Sequence, residues 1–182
     1  KSNLTLEYFT SEMSAIKQLL IDEHQSLYVS KVNSLLNKIH LFGFHFANLD
    51  IRQDSRKHDE FFNEMVKSLL ESGSKIFPIN YFELSEYEQV SVLSNVKGCV
   101  DLNLIKDKDA LKALNTMKVI KTIQETNGEK AANRYVISNN QTALNVMQLF
   151  AMLKLVAFQG ELTVDIGPLF ETITDLENAP SV

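Results

Sequence analysis

Leu41–Glu60 reads LFGFHFANLDIRQDSRKHDE, and its periodicity changes partway along. Up to Arg52 the side chains alternate. Phe44, Phe46, Asn48, Asp50 and Arg52 share one face, and His45, Ala47, Leu49 and Ile51 share the other. Period two is the spacing of a β-strand, here predicted over 44–52. Its first face starts apolar and ends polar, as expected where the C-terminal end of a strand opens on a solvated pocket. Beyond it, Asp54 or Ser55 caps a helix over about 55–72, with Phe61, Phe62, Met65, Val66, Leu69 and Leu70 as its inward stripe. A strand running directly into a helix points to an α/β fold.

The same stretch concentrates guanidinium groups. The chain has three arginines against fifteen lysines, and two of the three, Arg52 and Arg56, lie here. Guanidinium makes forked contacts to phosphate and carboxylate, so the stretch reads as the rim of an anion site.

Working outward, helices are expected over about 4–21 and 25–42. The second has Leu27, Val32, Leu35, Leu36 and Ile39 inward, and Gly43 closes it. After Pro78, Ser85-Glu86-Tyr87-Glu88 has the form of a capping box opening a helix to about Val96. Asp107 or Asp109 caps a long helix that ends at Asn127-Gly128. Arg134–Ser138, RYVIS, is a second strand, Thr142–Phe158 a strongly apolar helix, and Leu162–Ile166 a third strand. Thr172 or Thr174 caps a last helix. The strand–helix–strand run near the C-terminus has the size of one parallel βαβ unit.

With 182 residues, 45% of them hydrophobic, the chain can bury a core as a single domain. A net charge of -5 without basic runs argues against nucleic acid as partner. No apolar run is long enough for a membrane span. The single cysteine, Cys99, excludes an internal disulfide and fits a reducing, cytoplasmic compartment; it is expected to be a small buried or half-buried apolar residue. The chain lacks an initiating methionine and breaks off at ENAPSV inside a continuing segment, so both ends read as cut.

Two charged groups fall at strand ends: Arg52 after LDI, and Glu171 after VDIGPLF. Strand C-termini converge on active sites in barrels and doubly wound sheets. A carboxylate there is a candidate Mg²⁺ ligand, and an arginine across the mouth a candidate phosphate clamp. The plainer alternatives are a salt bridge from Arg52 to Asp50, Asp54 or Glu171, and a helix-capping or solvated role for Glu171. His24 and His58 read as solvated helix residues and His45 as a satisfied strand residue. No histidine pair has metal-ligand spacing, and no phosphate loop or nucleophile elbow occurs.

Three segments resemble the phosphoenolpyruvate carboxylase family. Leu49-Asp50-Ile51-Arg52-Gln53, with Ser55 and His58 following, is similar to its LDIRQ-E-S-x-x-H segment. Tyr135-Val136-Ile137-Ser138 resembles its YIIS strand. Pro168-Leu169-Phe170-Glu171-Thr172, with Asp175-Leu176 and Ala179-Pro180, is similar to its PLFET-x-x-DL-x-x-AP segment. The resemblance implies a (β/α)₈ TIM-type barrel. This chain would supply about three barrel strands with inserted helices, residues 1–43 being a helical lead-in and 44–182 a partial barrel. It also implies carboxylation of phosphoenolpyruvate with bicarbonate to oxaloacetate and phosphate, an anaplerotic carbon-fixing step using Mg²⁺ or Mn²⁺, by a homo-oligomeric parent. By position, Arg52 matches the substrate-phosphate arginine and Glu171 a metal ligand.

Departures are present. Asp54 stands where the family usually has glutamate, and Ser138 is followed by NNQTALNV rather than a methionine-led loop. The family's catalytic histidine, second metal aspartate and glycine-rich arginine loop have no counterpart. An internal fragment is therefore expected to be inactive alone, to hold no metal, and to self-associate through uncovered surfaces. The alternative is a non-enzymatic helical interaction domain.

Overall fold

The computed structural model describes residues 4–182, which divide into two compact units, one running to Asn48 and the other spanning Leu49–Val182. The first unit pairs α1 (Leu6–Glu23) with α2 (Val29–Phe42). Thr5 caps α1 by accepting the Tyr8 N–H. Gly43 closes α2 at φ 53°, a left-handed value that suits glycine. The start of α2 is later than its periodicity predicts. Gln25, Ser26 and Tyr28 all take positive φ in the connecting turn, so Leu27 is 59% exposed rather than inward. No residue of α1 is buried, and α2 buries Leu36 and Ile39.

The second unit is mostly helical and contains a three-stranded parallel sheet of order β1-β2-β3. The strands are β1 (Asp50–Asp54), β2 (Arg134–Ser138) and β3 (Asp165–Pro168), with Arg52 opposite Val136 and Val136 opposite Gly167. The second strand falls where its sequence predicts, and the other two are displaced. Residues 44–47 form a turn after Gly43, with the His45 and Phe46 N–H groups both donating to Phe42 O, and Phe46 has φ 61°. The Phe-His-Phe-Ala alternation therefore imitates a strand without a partner strand. Pairing begins only where Leu49 N–H reaches Ala131 O at 2.9 Å. Likewise, 162–164 precede β3 because Gln124 holds Thr163 through both its amide atoms, at 3.0 and 2.6 Å. The ladder to β2 starts at Asp165.

Helices α3 (Ser55–Glu71), α4 (Glu86–Ser94), α5 (Lys108–Asn127) and α6 (Ala143–Val156) enclose the core. Asp54 caps α3, Ser85 and Glu88 form the expected capping box of α4, and Asp107 caps α5. The stripe Phe62, Met65, Val66 and Leu69 of α3 is buried, each such side chain contributing about 1.5–3 kcal/mol of transfer free energy. Apolar around most of its circumference, α6 buries Leu149, Ala151, Met152, Leu153, Leu155 and Val156, and packs against α3, α4 and α5. After β3 a short helix, α7 (Ile173–Asn178), begins at a Thr172–Asp175 capping box. No helix among the described residues is long and apolar enough to cross a membrane.

Candidate functional site

Each strand of a parallel sheet delivers its C-terminal residues to one edge, and here the residues just beyond β2 and β3 meet a side chain from the middle of β1 on one carboxylate. Arg52, expected at the end of its strand, is the third of five residues because pairing with β2 carries β1 on to Asp54. Glu171, three residues beyond β3, accepts at Oε1 from Arg52 Nη2 of β1, at 2.8 Å. Its Oε2 accepts the backbone N–H of Asn139, the residue after β2, at 3.3 Å. Arg52 and Glu171 are thus brought together across the end of the middle strand. Both remain accessible, with side chains 57% and 43% exposed. An exposed pair of this kind adds little stability, a median of about 0–1 kcal/mol, and it is the salt bridge to Glu171 that the sequence offered as the plainer alternative for Arg52.

Backbone geometry holds Glu171 in place. Asp175 Oδ2 accepts the N–H groups of Glu171 and Thr172 at 3.2 and 2.9 Å, while Thr172 Oγ1 accepts the Asp175 N–H. The Thr172 N–H, first among several hydrogen bonds, holds the Asp175 carboxyl below the usual range.

The other two arginines lie apart from this contact. Arg56 folds back on its own helix cap, with Nε and Nη2 on the two Asp54 oxygens at 2.9 and 2.8 Å. That hydrogen-bonded guanidinium lowers the Asp54 carboxyl to about 2. Arg56 is therefore helix surface, and the anion rim suggested by the paired arginines reduces to Arg52. Arg134 opens β2 and pairs with Asp50 at the start of β1.

Three expectations are corrected. His58 is buried rather than solvated, at 1% exposure, with Nε2 3.1 Å from the Tyr135 hydroxyl. It lies on the stripe Phe62, Met65 and Leu69 at helical spacing, which was the available signal. Burial depresses its imidazole to about 4 and raises the Tyr135 hydroxyl to about 12. Cys99 is exposed rather than a buried apolar residue, because it follows Gly98 (φ 128°) in an irregular segment after α4. His45 lies in the turn after α2, not in a strand.

Sequence reasoning missed the residues after β2. Asn139 has φ 53°, and its carbonyl accepts from the buried Ser55 hydroxyl at 2.5 Å. Asn140 is wholly buried. The Asn-Asn pair carried a signal, since asparagine tolerates left-handed backbone.

As a metal centre the arrangement offers one carboxylate. Among the described residues no three His, Cys, Asp or Glu side chains gather around a common point. Glu171 therefore fits a divalent cation only as one ligand of a site completed by other oxygens, a mode Mg²⁺ commonly uses.

A family model for phosphoenolpyruvate carboxylase matches residues 3–182. The chain is 30% identical over 182 residues to a phosphoenolpyruvate carboxylase of Synechococcus sp., covering 96% of this chain and 17% of that protein. It is 29% identical over 186 residues to that of Prochlorococcus marinus subsp. pastoris, covering 98% and 18%. For another Prochlorococcus marinus strain the identity is 31% over 192 residues, covering 96% and 18%. The chain spans less than a fifth of the length of these relatives.

Proposed function

The chain belongs to the phosphoenolpyruvate carboxylase family, and we propose that it forms one wall of the site at which a longer carboxylase converts phosphoenolpyruvate and bicarbonate to oxaloacetate and phosphate. The observation that carries this is the meeting of Arg52 and Glu171 across the end of β2. In this reading the three parallel strands are part of a (β/α)₈ barrel, 1–43 is a helical lead-in and 44–182 a partial barrel. The assembled enzyme is a cytoplasmic homo-oligomer.

The chemistry asks for fixed positive charge beside a migrating phosphoryl group. A bicarbonate oxygen attacks phosphorus as the enol C–O–P linkage breaks at the P–O bond, giving carboxyphosphate and an enolate. The enolate carbon then attacks carbon dioxide released from carboxyphosphate, forming the new C–C bond of oxaloacetate and leaving phosphate. Arg52 spends one N–H group on Glu171 and has others to offer a phosphate oxygen, where its charge stabilises the transferring group. Glu171 would hold Mg²⁺ or Mn²⁺, which when bound offsets charge on phosphoryl and enolate oxygens. The fixed capping box keeps that carboxylate at the strand ends.

The test uses the longer enzyme carrying this segment, beside the 182-residue chain. Arg52→Ala should raise the phosphoenolpyruvate concentration needed for half-maximal rate by on the order of 10²-fold, the scale of one lost charge-assisted contact. Glu171→Ala should abolish metal-dependent oxaloacetate formation, and the 182-residue chain alone should form none. Unchanged kinetics in both variants, or robust turnover by the short chain, would overturn the assignment.

A further inference from the structure

The turn after β2 grips the proposed metal carboxylate from the side opposite Arg52. Asn139 stands at φ 53°, a left-handed conformation that most L-residues avoid and asparagine tolerates. In that conformation its N–H donates to Glu171 Oε2 at 3.3 Å and its carbonyl accepts from Ser55 Oγ at 2.5 Å. Ser55 is buried at the first position of α3. The next residue, Asn140, is buried and donates its N–H to Leu169 O at 3.4 Å. The turn is therefore pinned to the β1–α3 junction on one side and to the segment after β3 on the other. The two oxygens of Glu171 have separate partners, a flexible guanidinium on Oε1 and a fixed peptide N–H on Oε2.

We propose that Asn139 is a positioning residue for Glu171: its left-handed backbone aims the N–H that fixes Oε2, so the carboxylate keeps its orientation when Arg52 turns to an anion. The proposal rests on the reading of Glu171 as a metal ligand and deepens it. A long arginine side chain can follow a phosphate, whereas the peptide N–H cannot leave Glu171 unless the turn unwinds. The residue type matters through the backbone: glycine accepts left-handed φ freely, and a β-branched residue resists it.

The test is NMR of the full 182-residue chain, comparing wild type with Glu171→Gln, Asn139→Gly, Asn139→Val and Ser55→Ala. Glu171→Gln should move the residue-139 amide proton upfield, because a hydrogen bond to a carboxylate becomes one to a neutral amide. Asn139→Gly should keep the wild-type Glu171 carboxyl ¹³C resonance. Asn139→Val should shift it, and Ser55→Ala, which frees the carbonyl of residue 139 while leaving that residue as asparagine, should shift it the same way. In the longer enzyme, Asn139→Val should need a several-fold higher Mn²⁺ concentration for half-maximal oxaloacetate formation than wild type or Asn139→Gly. An unmoved residue-139 amide in Glu171→Gln, or indistinguishable Gly and Val variants, overturns the positioning role. If the amide and carboxyl shifts behave as expected while Glu171→Ala in the longer enzyme leaves metal-dependent oxaloacetate formation intact, the positioning contact stands and the metal reading falls.

Discussion

His58 sets one ring nitrogen against the Tyr135 hydroxyl and leaves Nδ1 buried without a hydrogen-bond partner among the described residues. Protonating that ring would place a charge in a largely apolar interior, which is why its folded-state value falls from 6.5 to about 4, partly opposed by the nearby Asp54 charge. A depressed histidine value means that the unfolded chain binds the proton more readily. Stability from this residue is therefore complete above pH 6.5 and is lost as pH falls toward 4, by roughly 3 kcal/mol over that window. Urea unfolding at pH 7 and pH 5 should show the loss in the wild type, while His58→Phe/Tyr135→Phe, which removes both polar partners, should be flatter between those values. An equal slope in the double variant would remove His58 as the cause. The site residues differ in how far the sequence exposes them. Arg52 and Glu171 could be named because each is a charged group following a predicted strand segment, LDI and VDIGPLF, within a recognisable motif. Asn139 could not, because its role depends on a hydrogen bond to a residue 32 positions away and on a φ value that its side chain permits but does not require.

At the scale of elements, helical periodicity identified α1 and apolar composition α6, but neither told how deeply each is buried. No residue of α1 is buried, and Leu19 remains 48% exposed. Leu153 of α6 is fully buried among helices on several sides. Truncating Leu153 to alanine removes transfer free energy and opens a cavity, and should cost about 2–5 kcal/mol. The same change at Leu19 should cost under about 0.5 kcal/mol. Chemical denaturation of the two variants checks the contrast; comparable losses would mean that α1 is packed as tightly as α6. Strand limits were legible for the same reason that α6 was: β2, with Tyr135, Val136 and Ile137 in succession, declares itself by composition. The limits of β1 and β3 are set by register against β2 and by Gln124 gripping Thr163, contacts that no local pattern records.

At the scale of the whole molecule, apolar surface is unevenly distributed between the two units. The buried core cluster is drawn entirely from residues 61–164, within the second unit. Most of the exposed large apolar side chains precede Asn48, among them Leu41 at 73% and Phe46 at 82%. Two features could drive self-association: open strand edges and uncovered helix faces. The outer strands β1 and β3 have five and four residues, too short to offer much pairing. The helical surface dominates because it carries more exposed apolar side chains than the short strand edges, and removing apolar surface from water drives association. Light scattering should therefore show concentration-dependent association of the full chain and weaker association of residues 49–182 alone. The shorter piece should still unfold cooperatively on heating, since the buried cluster lies within it. A full chain that stays monomeric at high concentration would remove the helical surface as a contact site. Association undiminished in residues 49–182 would shift the driving force to the strand edges. Loss of a cooperative transition in the shorter piece would show that residues before Asn48 take part in maintaining the core.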